Sequence, residues 1–288
     1  MSTQHRLSCC LVVVASFVMF CPLCSMADSG QGPTKWLQRP DESPNGLDVR
    51  AHLAGIGGSL FLADDFLCTS SGPITDIHFW GSWLNDHLPA PKEDGPPADP
   101  GNVQFSLSIH QDVPVGPNNL FSRPGDTLWS AEFQRGKFAV QPWKEQVQEH
   151  FYDPMKGEVL GTDTVIWQYS FAIPQDKPFV QEKANIYWLR IFAMPEDDSA
   201  VLGWKTSTDH WNDDAAYGVM PGIGPITWSE LRYPQVSSID PQLWGRSMDL
   251  AFALTTVPEP AGVMLLAAAC GCMMLRLGRH SPVNARKS

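Results

Sequence analysis

Polar and apolar residues alternate in several stretches of the chain. Val103, Phe105, Leu107 and Ile109 are separated by Gln104, Ser106 and Ser108, a period of two that gives a strand one buried face. Val165, Trp167, Tyr169, Phe171 and Ile173 repeat the pattern against Gln168 and Ser170. So do Met248, Leu250, Phe252 and Leu254 against Asp249, Ala251 and Ala253. Residues 61–68, 74–83, 127–133, 137–141, 186–193 and 201–205 add further strands, several rich in aromatic and β-branched side chains. Residues 186–193 (IYWLRIFA) are apolar on both faces and belong in the middle of a sheet. The best local candidate for a helix, 143–151, is short. Prolines fall mostly between these runs, where no ladder hydrogen bond is lost. The pattern predicts an all-β fold: a single antiparallel β-sandwich, jelly-roll-like, with a barrel as its main rival. Residues 28–60 read as an extended lead-in, and the proline-rich, acidic stretch 85–102 as a long loop inside one domain.

The two ends break this pattern. His5 and Arg6 precede an uncharged run over 7–20 (LSCCLVVVASFVMF), then Ser25-Met26-Ala27 and the first acid, Asp28. That is the layout of a signal peptide over 1–27, with a permanent membrane helix as the competing reading. At the other end, Val257, Pro258, Glu259 and Pro260 lead into the uncharged stretch 261–275, followed by Arg276, Arg279, Arg286 and Lys287. Fifteen helical residues rise only about 22 Å against a hydrocarbon core of about 30 Å, a marginal span. The basic end favours the cytoplasmic side, leaving the exported domain, 28–256, outside the membrane and touching it only through the C-terminal segment.

Charge and cysteine usage sharpen this division. The chain of 288 residues carries 31 acidic and 20 basic groups, and five of the basic ones lie in the two ends, where there are no acids before Asp28 or after Pro260. The segment between is therefore strongly acidic, which argues against nucleic acid as a partner. Six of the seven cysteines lie in the end segments, leaving Cys68 alone in the body, where it forms no internal disulfide and reads as a small buried residue.

Pro258-Glu259-Pro260, a short apolar segment and an arginine-rich end, in that order over 257–288, resemble the PEP-CTERM sorting signal of Gram-negative bacteria. The resemblance implies secretion and handling by an exosortase-type sorting machinery, often in bacteria that make extracellular polysaccharide. A plain tail anchor is the alternative. The body is similar to an uncharacterised domain family that recurs in secreted PEP-CTERM proteins, through Leu62-Ala63-Asp64-Asp65-Phe66-Leu67-Cys68, Ile74-Thr75-Asp76-Ile77-His78, Trp80-Gly81-Ser82-Trp83, Trp204-Lys205-Thr206-Ser207 and Asp209-His210-Trp211-Asn212-Asp213-Asp214-Ala215. That likeness implies no activity.

Signatures of catalysis are missing from the sequence. There is no G-x-S-x-G elbow, Glu149-His150 has the wrong order for a zinc protease, and Gly55–Leu60 lacks the third glycine of a phosphate cradle. His78 and His110 read as hydrogen-bonded or exposed strand residues rather than metal ligands. Asp209, Asn212, Asp213 and Asp214 form the most suggestive cluster. Asp209, Asp213 and Asp214 offer the oxygen donors that suit Ca²⁺, the one cofactor the sequence raises, against the ordinary turn chemistry of Asp and Asn. Asp64 and Asp65 would join them if the fold brings them close. Trp211, with Asp209, Asn212 and Asp213, and Trp228 are the candidate sugar platforms among the eleven tryptophans; Trp167 and Trp188 are expected in the core. The expectation is an exported, sorted surface or matrix protein of the cell envelope or extracellular space, structural or adhesive and without catalysis. A carbohydrate-binding module is the alternative, and a glycoside hydrolase with two facing carboxyls a third.

Overall fold

The strands observed are, in chain order, β1 (Thr34–Gln38), β2 (Leu47–Arg50), β3 (Ser59–Leu67), β4 (Gly72–Ile74), β5 (Asp76–Trp83), β6 (Val103–Val113), β7 (Arg123–Phe133) and β8 (Ala139–Asp153). They continue with β9 (Glu158–Ala172), β10 (Phe179–Gln181), β11 (Ile186–Pro195), β12 (Leu202–Ser207), β13 (Ala216–Met220), β14 (Thr227–Glu230), β15 (Asp249–Leu250) and β16 (Phe252–Thr255). This computed structural model describes residues 33–52, 59–91, 97–117, 119–222 and 224–256. Among them a single 3-10 turn, Leu84–Asp86, is the only helical element, and no helix is long and apolar enough to cross a membrane. The apolar segments 7–20 and 261–275 and the motif Val257–Pro260 with Arg276 and Arg279 lie outside the described residues.

Eight strands run in the order β1-β16-β5-β9-β8-β2-β12-β15, and an additional β5–β12 pairing closes β5, β9, β8, β2 and β12 into a five-strand barrel. A six-stranded sheet, β14-β13-β3-β11-β6-β7, and the two-stranded β10-β4 complete the domain. The fold is thus all-β, a closed barrel with extra strands in a jelly-roll-like sandwich, so features of both sequence-derived architectures coexist. The ladders are antiparallel except β2–β8, which is parallel. Closure depends on glycine: a Cβ on Gly81 would run into the Gly203 carbonyl across the β5–β12 pair, and one on Gly203 would meet the Phe151 ring at 2.7 Å.

The period-two faces explain the core. Ile77, Phe79 and Trp83 of β5 and Tyr169 and Phe171 of β9 pack with Phe105, Leu107 and Ile109 of β6. Phe79 stacks on Tyr169 at 4.9 Å and on Phe171 at 5.9 Å. Trp83 Nε1 donates to the Tyr169 hydroxyl, which donates to the Pro100 carbonyl, so both polar tips are satisfied in the interior. Trp188 is fully buried, while Trp167 is only partly buried against the core.

Three local readings change. Residues 143–151 lie in strand β8, not a helix. The i, i+4 spacing of Trp143, Val147 and Phe151 comes from an irregularity between Glu145 and Glu149, where Gln146 takes a positive φ of 61°. The alternation over 248–254 is interrupted at Ala251, where the chain leaves β12 for β5 and Ala251 N–H bonds to the Lys205 carbonyl. The lead-in 28–60 contains two true strands, β1 and β2, the second a barrel stave.

Candidate functional site

The barrel encloses charge. Every stave contributes one polar residue to its interior: Ser82 from β5, Asp163 from β9, Glu149 from β8, Asp48 from β2 and Lys205 from β12. Asp48, Lys205 and Ser82 have no exposed surface, and Glu149 and Asp163 are 1% exposed. Strand alternation puts them there. Leu47, Val49 and Trp204 join the apolar core, so Asp48 and Lys205, the intervening residues, face the opposite way. Asp48 and Lys205 are also register partners across the β2–β12 ladder.

Lys205 Nζ donates to Asp48 Oδ2 at 3.2 Å and pairs with Glu149 Oε2 at 2.7 Å. Carboxyl oxygens of Asp48, Glu149 and Asp163 lie within 4.8 Å of one another, the one group among the described residues with the spacing of a metal site. Asp48 Oδ1, Glu149 Oε1, both Asp163 oxygens and the Ser82 hydroxyl have no hydrogen-bond partner of good geometry. Gly46 closes over the charged end; a Cβ there would sit 2.8 Å from Lys205 Nζ and 3.1 Å from Glu149 Oε1.

The electrostatics follow from three acids around one base in a dry interior. Burial, then the neighbouring Asp48 carboxyl, pushes Asp163 up to about 10, which makes it a carboxylic acid at neutral pH. Burial raises Glu149 to about 7, with Lys205 working against the rise. Burial raises Asp48 as well, again opposed by Lys205. For Lys205, burial pulls the ammonium down, but Asp48 and Glu149 outweigh it and the net shift is upward. The arrangement offers a nucleophile or cation, a carboxylate in contact with it, and a neutral carboxylic acid beside them. A divalent ion would find oxygen donors in the same three acids and Ser82, but would have to displace the Lys205 ammonium.

The cluster read from the sequence is divided among several partners. Asp209 accepts from Arg39 N–H and from its guanidinium at 3.3 Å, and Asp214 pairs with Arg232. Asn212 Nδ2 donates to Asp213 at 2.6 Å and to Asp65 Oδ2 at 2.8 Å, so Asp65 does reach this loop. Trp211 meets Trp36 edge to face at 5.1 Å, and its backbone N–H bonds to Asp249. Beneath the loop lies a second set of buried acids. Asp64 accepts from Gln38 Nε2, Leu250 N–H and Asp65 N–H. Asp249 accepts from Trp211 N–H, with His210 Nδ1 at 3.5 Å. Burial is the main cause raising Asp65 to about 8 and Asp249 to about 6, and it lifts Asp64 well above its ordinary value.

His78 and His110 are buried and hydrogen-bonded, to Ser170 and to Ser108 with the Gly125 carbonyl. Cys68 is buried and its thiol reaches the Ser70 carbonyl at 3.2 Å.

A closed five-strand barrel joined to a six-stranded sheet, with an ionisable centre sealed inside the barrel, defines the class of domain. The chain belongs to the family described as a domain of unknown function (DUF7901), whose model matches residues 34–255. Neither curated proteins nor solved structures give a significant match.

Proposed function

We propose that this is an exported surface or matrix protein whose β-domain serves structure or adhesion rather than catalysis. The observation that carries the reading is the sealing of the ionisable centre: side chains with 0–1% exposure hold their chemistry away from any dissolved substrate. A glycosidase needs its two carboxyls against a sugar, and Asp48, Glu149 and Asp163 are closed off from one. The end segments support export: a signal-peptide pattern over 1–27 and a PEP-CTERM-like pattern over 257–288 would route the body through the secretion and exosortase-type machinery. The test is fractionation of the native protein with intact-mass measurement. Loss of both ends and recovery outside the cytoplasmic membrane support the reading; a cytoplasmic product with both ends retained contradicts it.

A carbohydrate-binding reading is favoured by one further feature, a groove of about 410 Å³ beside the 209–214 loop, lined in part by Asp41, Asn45, His210, Tyr233 and Arg246. Those groups match sugar hydroxyls with polar side chains and an aromatic edge. Polysaccharide pull-down lost in both His210→Ala and Trp211→Ala, with the fold retained, supports it; retention on neither the wild type nor the variants dismisses it.

A further inference from the structure

We propose that the barrel centre cross-links itself: Lys205 and Asp48 condense to an amide that joins β12 covalently to β2, with Glu149 as the base and Asp163 as the acid. The ladder makes Lys205 and Asp48 register partners, and Nζ stands 3.2 Å from Asp48 Oδ2, against the carboxyl group whose carbon it attacks. Glu149 Oε2, 2.7 Å from Nζ, is placed to take a proton. Asp163, within 4.8 Å of the Asp48 carboxyl and in side-chain interaction with it, is placed to give one.

The bookkeeping of atoms closes without an outside reagent. Lys205 passes a proton to Glu149, an exchange that leaves the net charge of the centre unchanged. The freed amine adds to Asp48 Cγ, forming the C–N bond. The C–O bond to one Asp48 oxygen then breaks, and that oxygen leaves as water with a proton from Asp163 and one from the nitrogen. Glu149 returns its proton to Asp163 through the centre, so both acids end as they began. One ammonium and one carboxylate have become a neutral amide and water.

Burial drives this in the forward direction. In water the separated ions are well solvated, whereas inside the barrel both bear a desolvation cost that the neutral amide escapes. The closed wall then keeps water from reversing the step. A bound divalent ion is the rival occupant, but Lys205 Nζ already contacts two of the three carboxyls that would hold it. The body holds one cysteine, so a disulfide within it is not an option, and a bond between residues 157 apart in sequence would restrain the unfolded chain as a long disulfide does.

Peptide mapping of the purified full-length chain, denatured and digested, decides the matter. The wild type is expected to yield a branched fragment carrying Asp48 and Lys205, lighter by one water than its two parts. Asp48→Asn should lose ammonia instead and reach a cross-linked chain of the same mass as the wild type. Glu149→Gln should keep near-ultraviolet circular dichroism like the wild type's yet give mostly linear fragments; if it fails to fold, the wild-type map alone is decisive. Linear fragments from the wild type overturn the proposal, whether or not a divalent metal copurifies with them. A branch at Glu149 in place of Asp48 overturns it too.

Discussion

Inside the barrel, Asp48, Glu149 and Asp163 surround the Lys205 ammonium; beneath the 209–214 loop, Asp64, Asp65 and Asp249 are held mainly by backbone N–H groups and the amides of Gln38 and Asn212. Both sets are buried to within 1% exposure. The first is compensated by an opposite charge and, in our proposal, by conversion of one ion pair to an amide. The second is compensated by neutral donors, and its remaining cost is met by retaining protons. Both sets retain protons, at Asp163 in the barrel and at Asp65 beneath the loop; what separates them is whether a lysine projects from a neighbouring stave to hold the remaining carboxyls.

The sharpest way to break the comparison is Lys205→Met. It strands three acids in a dry barrel, and a loss of about 3–5 kcal/mol or failure to fold is expected in urea denaturation. Asp64→Ala comes next. It leaves the Gln38 amide and the Leu250 and Asp65 N–H groups without their acceptor, and a loss of about 2–3 kcal/mol is expected in the same assay.

The pH dependence of the second set is smaller and has a fixed sign. Asp65 and Asp249 have folded-state values raised above their unfolded ones, so their contribution to stability is complete at acid pH. It is lost as pH rises, through about 6 for Asp249 and about 8 for Asp65. The urea midpoint should therefore fall between about pH 5 and about pH 9, and Asp65→Asn should flatten the upper part of that fall. The smallest effect belongs to Arg39→Ala. Its bridge to Asp209 joins side chains 68% and 39% exposed, and a change below about 1 kcal/mol is expected, shrinking further in salt.

Much of the fold was legible because strands with one buried face leave a period of two. β3, β5, β6, β9 and β11 all fall where that period or an aromatic and β-branched run placed a strand. β8 was legible only at its start, where the strand read over 137–141 falls; beyond it the irregularity at Gln146 replaces the period of two with a spacing of four. The interior centre left almost no local signal. Asp48 sits in a short strand within a turn-rich stretch, Asp163 lies between two threonines just past Gly161, and the pairing of Lys205 with Asp48 spans 157 residues. A charged residue between apolar neighbours was the available clue: Lys205 after Gly203-Trp204, and Asp48 between Leu47 and Val49. Only barrel closure turns those separate exceptions into one site. The 209–214 loop was legible as polar, but its partners, Arg39, Asp65 and Arg232, come from three different parts of the chain.

Carboxyl-carbon NMR across a pH titration, on protein labelled at aspartate, tests the contrast most directly. The account predicts that Asp65 titrates near 8 and Asp249 near 6, while the Asp48 resonance, as an amide, does not move at all. Titration of all three at about 4, as for solvated carboxyls, would contradict it.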